Sequence, residues 1–104
     1  MMIARWSIDA RFGHKAAVIE QMKQWVKGVG SQVGWTPAKV RLATGSVGAL
    51  ESTVQMEVLV RDLNELQQSW EKLALLDDHK QWGKALEPHV LSGSPRWEVF
   101  RVID

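Results

Sequence analysis

Apolar residues in this chain recur with two different periods, and the order in which those periods follow one another restricts the fold. Side chains that alternate between apolar and polar mark a strand with one buried face, whereas apolar residues three and four positions apart share one face of a helix. Alternation occupies residues 2–10 and 93–104, and it appears twice more within residues 37–60. Helical spacing occupies residues 14–29 and resumes after Asp62. The predicted order is therefore strand, helix, strand, strand, helix, strand.

Six elements in this order form a split βαβ pattern. A turn at Gly45–Gly48 separates the second and third strands and predicts an antiparallel hairpin. Each βαβ half needs a right-handed crossover, so both helices pack on the same face of the sheet. A short additional helix is predicted from His79 to about Glu87, where Pro88 ends it. The predicted fold class is α+β: a single ferredoxin-like βαββαβ domain over residues 1–104, with a four-stranded antiparallel sheet, two main helices on one face and the short extra helix before the last strand.

The two faces of the predicted sheet differ in polarity. One face is apolar and is expected to meet the helices: Ala4, Trp6, Ile8, Val40, Leu42, Val54, Met56 and Val58. The other face is mixed: Arg5, Ser7, Asp9, Lys39, Arg41, Gln55, Glu57, Thr53, Leu59, Val99 and either Trp97 or Phe100. We expect the mixed face to be either solvated or buried against a second copy of the chain. RNA binding there is not expected, because the third strand carries no aromatic residue on which a base could stack.

Composition excludes several classes of partner and site. The 13 basic and 12 acidic side chains are interspersed, so no polyanion-binding surface and no nucleic-acid partner are predicted. Because cysteine is absent, disulfides, thiolate metal sites and a cysteine nucleophile are excluded. No apolar run approaches the roughly 20 residues that span a bilayer, so we expect no membrane partner and a cytoplasmic protein.

Several loose motifs run along nearly the whole chain. They are Gly13 after the first strand, a long third strand leading into Asp62–Leu66, the segment His79–Trp82 and the closing segment Gly93–Arg101. In these motifs the chain resembles the dimeric α/β-barrel superfamily, and within it the NIPSNAP-like proteins most closely. The resemblance implies a homodimer, in which two monomers place their open sheet faces together as a dimeric α/β barrel with the helices outside. It also implies a cleft between the helices and the sheet of each monomer, where relatives that are enzymes bind substrate or haem.

His79 is the predicted catalytic residue. On a helix it shares a face with Trp82 and Leu86, so its imidazole is expected to border the core or a cleft. A neutral imidazole in that place could act as an acid or base, or as a ligand of haem iron. The alternative is a histidine at a helix start that bonds to a backbone carbonyl or to the carboxylate of Asp77 or Asp78.

The chain has six tryptophans and no tyrosine. We predict that Trp6, Trp70 and Trp82 bind the ligand, as the walls of a cleft for a small apolar or aromatic molecule. Helical spacing makes Trp25 and Trp70 typical of core residues as well. Trp35 lies in the loop before the second strand and is expected to act as a lid or to plug the end of the barrel.

The resemblance extends to haem-degrading monooxygenases of the superfamily, which place a tryptophan and a histidine about as far apart as Trp70 and His79. A strand-one asparagine completes their site, and Trp6 occupies the matching position here. An indole donates a single hydrogen bond and cannot replace an amide. Haem degradation is therefore not expected and no cofactor is predicted, although haem or another flat ligand could still stack on the tryptophans.

No metal site is predicted either. His14 and His89 are expected to face solvent, and the three histidines show neither an i,i+4 pair nor an HExxH-type run. A serine nucleophile motif is also absent, because Gly45–Gly48 lacks the spacing and the strand-to-helix context of GxSxG.

Three functions remain open at this point. The chain could be a small-molecule-binding dimer of the NIPSNAP-like kind, or an enzyme of the same fold. The enzyme would be a cofactor-independent monooxygenase or an isomerase that uses His79 as acid or base or to orient its substrate. The third possibility is a structural oligomerisation module. A cavity between the helices and the sheet would distinguish the first two from the third, because a module without an open space has nowhere to hold a ligand.

Overall fold

The fold consists of four strands, three α-helices and two 3-10 turns, and the computed structural model describes all residues from 1 to 104. The strands are β1 (Met2–Asp9), β2 (Val40–Thr44), β3 (Thr53–Val60) and β4 (Arg96–Arg101). The helices are α1 (Lys15–Gly28), α2 (Leu63–Leu75) and α3 (Asp77–Leu86), with 3-10 turns at Gly30–Val33 and Glu87–His89. None of these helices has the length and apolar character needed to cross a bilayer.

The strands form one antiparallel sheet in the order β2-β3-β1-β4. Strand β1 lies in the centre, where Trp6 is opposite Met56 of β3 on one side and Trp97 of β4 on the other. The order and the antiparallel pairing confirm the predicted ferredoxin-like βαββαβ fold. The sheet of a single chain is open rather than closed into a barrel.

Local sequence explains where α2 begins. Asp62 is the N-cap residue, and its Oδ1 accepts a hydrogen bond of 2.8 Å from the backbone N–H of Glu65. The Glu65 carboxylate in turn accepts from the backbone N–H of Arg61. The first bond satisfies an amide that the first helical turn leaves without a partner, and the second ties the residue before the N-cap to the helix.

Helix α3 begins at Asp77 rather than at His79, so the predicted start was two residues late. Leu76 has an extended backbone (φ −85°, ψ 120°) and separates α2 from α3. Asp77 and Asp78 then lie in the first turn of α3, where a carboxylate interacts favourably with the positive end of the helix dipole. The acidic pair therefore forms the start of α3.

The lid predicted at Trp35 is wrong because the side chain is buried, whereas the plug at the end of the barrel stays a prediction. The 3-10 turn Gly30–Val33, which the sequence analysis did not predict, ends at Gly34 with a left-handed backbone (φ 82°) and directs the chain back towards the core. Trp35 is only 3% exposed, and its indole N–H donates to Ser69 Oγ of α2 over 3.2 Å. A buried indole needs such an acceptor, and Ser69 is itself buried.

The register of β4 resolves one face assignment and corrects another. Residues directly opposite one another in an antiparallel pair lie on the same face. Trp97 is opposite Trp6, so it lies on the helix-covered face, whereas Phe100 lies on the open face. Val99 is opposite the fully buried Ala4 and also lies on the helix-covered face, where the prediction had placed it on the open one.

The open face carries a charged network at its centre. Glu57 of β3 accepts hydrogen bonds from Arg5 of β1 and from Arg41 of β2, the latter over 2.9 Å. Burial alone would raise the pKa of the Glu57 carboxyl, but the two arginines outweigh it and hold that pKa below its usual value. The Arg5 guanidinium also lies over the Phe100 ring, 4.6 Å from its centroid.

Candidate ligand-binding site

All six tryptophans of the chain line one cavity between the helices and the sheet. The cavity has a volume of about 250 Å³, and ten of its eleven lining residues are hydrophobic. Its tryptophans are Trp6, Trp25, Trp35, Trp70, Trp82 and Trp97. Such a space, mainly apolar with few polar groups, is typical of sites for small molecules.

Different elements bring these tryptophans together. The alternation of β1 and the register of β4 place Trp6 and Trp97 side by side on the helix-covered face, with ring centroids 6.5 Å apart. Trp70 of α2 meets Trp97 edge to face at 5.3 Å. From α3, Trp82 lies 6.0 Å from Trp6. These distances fall within the range of favourable aromatic pairs, so the walls stabilise one another.

His79 is the only titratable residue in the wall of this cavity. Its ring stacks on that of Trp82 at 6.2 Å with an interplanar angle of 17°. The Trp25 indole N–H donates to His79 Nδ1 over 3.0 Å. Burial lowers the pKa of His79 below its usual 6.5, so the imidazole is neutral at neutral pH.

The bond from Trp25 fixes the tautomer of His79. An indole N–H is only a donor, so Nδ1 must offer its lone pair, and the proton of the neutral ring resides on Nε2. Nε2–H is then a hydrogen-bond donor with no lone pair for a metal. The residues present therefore do not fit haem bound through His79, which removes the iron-ligand role that the sequence had left open.

A second, wider cavity adjoins the first. Its volume is about 490 Å³, and it shares Trp6, His79 and Trp82 with the tryptophan-lined cavity. Arg11 and Glu87 line it as well, together with the loop that precedes β4. His79 thus lies where an aromatic compartment meets a more polar one.

Comparison with solved structures places this geometry among known folds. A NIPSNAP family protein from Agrobacterium tumefaciens superposes on the chain with a TM-score of 0.78 and 15% identity, over 100% of this chain and 95% of the other. The chain shares the NIPSNAP fold. Neither a protein-family model nor a curated protein matches its sequence.

Two further solved structures share the fold at similarly low sequence identity. A Caulobacter crescentus protein provisionally described as an antibiotic biosynthesis monooxygenase has a TM-score of 0.71 and 16% identity, over 99% of this chain and 90% of that protein. A Bacteroides fragilis protein described as dimeric, of unknown function and ferredoxin-like, has a TM-score of 0.66 and 12% identity, over 97% and 96% of the two chains. The NIPSNAP fold is thus shared with proteins of different descriptions.

The four site residues predicted from the sequence lie around the same cavity. Trp6, Trp70, Trp82 and His79 all line the tryptophan-lined cavity. Their roles in binding or catalysis stay predictions.

Sequence reasoning missed three of the lining tryptophans, which are Trp25, Trp35 and Trp97. The available signal was the composition, because the chain has six tryptophans and no tyrosine. It did not reveal that long-range packing brings all six to one place.

His14 and His89 do not face solvent as predicted. Both are half-buried, and their Nδ1 atoms are 2.8 Å apart. One ring donates and the other accepts, so the pair joins the start of α1 to the second 3-10 turn. Neither histidine lines the tryptophan-lined cavity or its neighbour.

Proposed function

We propose that this protein binds a small, flat, apolar or aromatic molecule in the tryptophan-lined cavity. The observation that carries the proposal is the convergence of all six tryptophans on one space of about 250 Å³. A flat apolar ligand of matching shape would gain hydrophobic free energy from contact with these indole walls. A structural oligomerisation module would have no use for such a space.

His79 supplies one polar contact of the proposed site. With Nδ1 occupied by Trp25, its Nε2–H donates to a carbonyl or phenolic oxygen of the ligand. One directional hydrogen bond within apolar walls fixes the orientation of a flat molecule that stacking alone would leave free to rotate.

Binding is tested with N-phenyl-1-naphthylamine, an uncharged aromatic probe that becomes fluorescent in apolar surroundings. We expect saturable binding of one probe per chain. The variant Ala74→Phe places a ring at a residue that lines the cavity. It should weaken probe binding at least about tenfold, which corresponds to about 1.4 kcal/mol of binding free energy. The control Ala16→Phe adds the same ring to an exposed site on α1 that lines neither cavity.

Probe binding by the Ala16→Phe variant should equal that of the unmodified protein. Equal affinities for both variants, or no saturable binding at all, would contradict the proposal.

A second candidate function is catalysis in the same cavity, by a cofactor-independent monooxygenase or an isomerase. It is favoured by a neutral imidazole in the wall of an apolar space, since a neutral imidazole can polarise a substrate carbonyl. Without a cofactor, the electrons that reduce dioxygen would come from the substrate. Oxygen uptake with bicyclic and tricyclic phenols and ketones tests the monooxygenase, and conversion of the same compounds without oxygen uptake tests the isomerase. In either case His79→Ala should lower turnover about 10²–10⁴-fold, far more than it weakens binding.

We also propose a homodimer through the open sheet face. Ile3, Leu59 and Phe100 form an apolar patch there, and Leu59 and Phe100 are 39% and 42% exposed. The Arg5–Glu57–Arg41 network lies beside the patch. Two copies that face each other would cover both patches, and the dimeric description of the Bacteroides fragilis protein supports this arrangement.

A further inference from the structure

We infer that the wider cavity is a second compartment of the same site, where Arg11 binds an anionic oxygen group carried by the aromatic ligand. The inference rests on the proposed function and narrows its ligand class. The ligand would have a flat apolar body in the tryptophan-lined cavity and a carboxylate or sulfonate-like group in the wider one. Trp6, His79 and Trp82 line both cavities, so one molecule can extend from one compartment to the other.

Arg11 is held in place by the loop before β4. Its backbone N–H donates to the His89 carbonyl over 2.9 Å, and its Nε donates to the Val90 carbonyl over 3.2 Å. The bond from Nε anchors the plane of the guanidinium, while its two terminal nitrogens make no hydrogen bond within the chain. An anchored guanidinium with free terminal N–H groups suits the planar recognition of an oxyanion.

The charges around Arg11 leave it available to a ligand. Arg5, Arg41, Arg61 and Arg96 each pair with a carboxylate of the chain, but Arg11 does not. Glu87 is the only acidic residue that lines the same cavity, and it is not within ion-pair distance of Arg11. Glu87 should therefore weaken anion binding moderately by repulsion without neutralising the arginine.

Two probes with the same aromatic body test the inference. They are 1-anilinonaphthalene-8-sulfonate and the uncharged N-phenyl-1-naphthylamine, which lacks the sulfonate. We expect Arg11→Met to lower the affinity for the sulfonate about tenfold and to leave the uncharged probe unaffected. Glu87→Gln should raise the affinity for the sulfonate probe. Added salt should weaken binding of the sulfonate probe and leave binding of the uncharged probe unchanged.

The matched control is Arg101→Met, which removes the same charge from an exposed arginine that lines neither cavity. This variant should bind both probes as the unmodified protein does. Denaturant unfolding of each variant separates a binding effect from a folding defect. The salt dependence of sulfonate binding to the unmodified protein measures the contribution of charge independently of any variant.

The possible results separate the two proposals. If the uncharged probe binds but Arg11→Met leaves sulfonate affinity unchanged, or lowers both affinities equally, the role of Arg11 is overturned and the aromatic site stands. If Arg101→Met matches Arg11→Met, the effect comes from net charge and the inference is likewise overturned. If neither probe binds saturably, the proposed function fails and the inference fails with it.

Discussion

At the residue scale, the hydrogen bond from Trp25 to His79 determines what the histidine can do. It leaves Nδ1 as an acceptor and Nε2–H as the only free polar atom of the ring, so His79 can donate to a ligand but cannot ligate a metal while neutral. The same burial that shapes the cavity favours the neutral ring. Burial of His79 in the cavity wall therefore also accounts for its neutral ring.

The lowered pKa of His79 predicts how stability depends on pH. The unfolded chain binds the proton with the ordinary pKa of 6.5, whereas burial lowers the pKa of His79 in the folded chain. The stability that depends on neutral His79 is therefore complete above pH 6.5 and is lost as the pH falls from 6.5 through the lowered pKa. His79→Gln, whose amide oxygen can still accept from Trp25, should lose less stability between about pH 7 and about pH 5.

Urea unfolding of both proteins across this pH range measures the difference. Parallel declines in the free energy of unfolding would show that His79 titrates alike in the folded and unfolded chains.

At the element scale, Gly28 and Gly30 both lie where α1 ends, but for different physical reasons. A Cβ atom at Gly28 would meet nothing within 4 Å. One at Gly30 would lie 3.0 Å from the Trp35 carbonyl oxygen and 3.1 Å from the Trp25 ring. Gly30 therefore permits the close approach of two tryptophans that line the cavity, whereas Gly28 serves no packing purpose.

The two glycines predict opposite effects of the same substitution. Gly28→Ala should stabilise the protein by about 0.5–1 kcal/mol, because alanine loses less backbone entropy on folding. Gly30→Ala should destabilise it by about 1–3 kcal/mol, because it overpacks a buried contact. Thermal unfolding of both variants provides the measurement. A Gly30→Ala variant as stable as Gly28→Ala would show that the Trp25 ring and the Trp35 carbonyl move aside easily.

The elements that sequence could predict are those with a strong local signal. Strand alternation, helical spacing and the Asp62 cap are each encoded within a few residues, so the order of elements and the fold followed from them. The position of Trp35 and the face of Trp97 depend on a 3-10 turn and on strand register, which distant contacts decide. His79 could be placed near a cleft by its spacing, but its tautomer depends on Trp25, 54 positions away in the sequence.

At the scale of the whole molecule, the sheet has one covered face and one uncovered face. The helices cover the side that contains the cavity. On the other side the apolar patch of Ile3, Leu59 and Phe100 is only partly buried, beside the charged network of Glu57. The internal pairing of Glu57 makes this residue a poor test of association, because reversing its charge would also break bonds within the chain. The apolar patch is the better target.

Phe100→Asp should therefore convert the proposed dimer to a monomer, because it replaces an apolar side chain of the patch with a hydrated carboxylate that would have to lose its water in the interface. Sedimentation velocity measures the change. Val47→Asp is the control, since Val47 is 95% exposed in the hairpin turn, away from the sheet face. A Phe100→Asp variant that sediments as the unmodified protein does would place the interface elsewhere or show the chain to be monomeric.

The gathering of every tryptophan around one cavity also has an optical consequence. With no tyrosine in the chain, almost all near-ultraviolet absorption and emission comes from the walls of that cavity. Neighbouring indoles lie 5.3–6.5 Å apart between ring centroids, close enough for excitation to pass from one ring to the next. A single absorbing molecule in the cavity would therefore quench the emission of the whole protein, so occupancy could be read from unlabelled material.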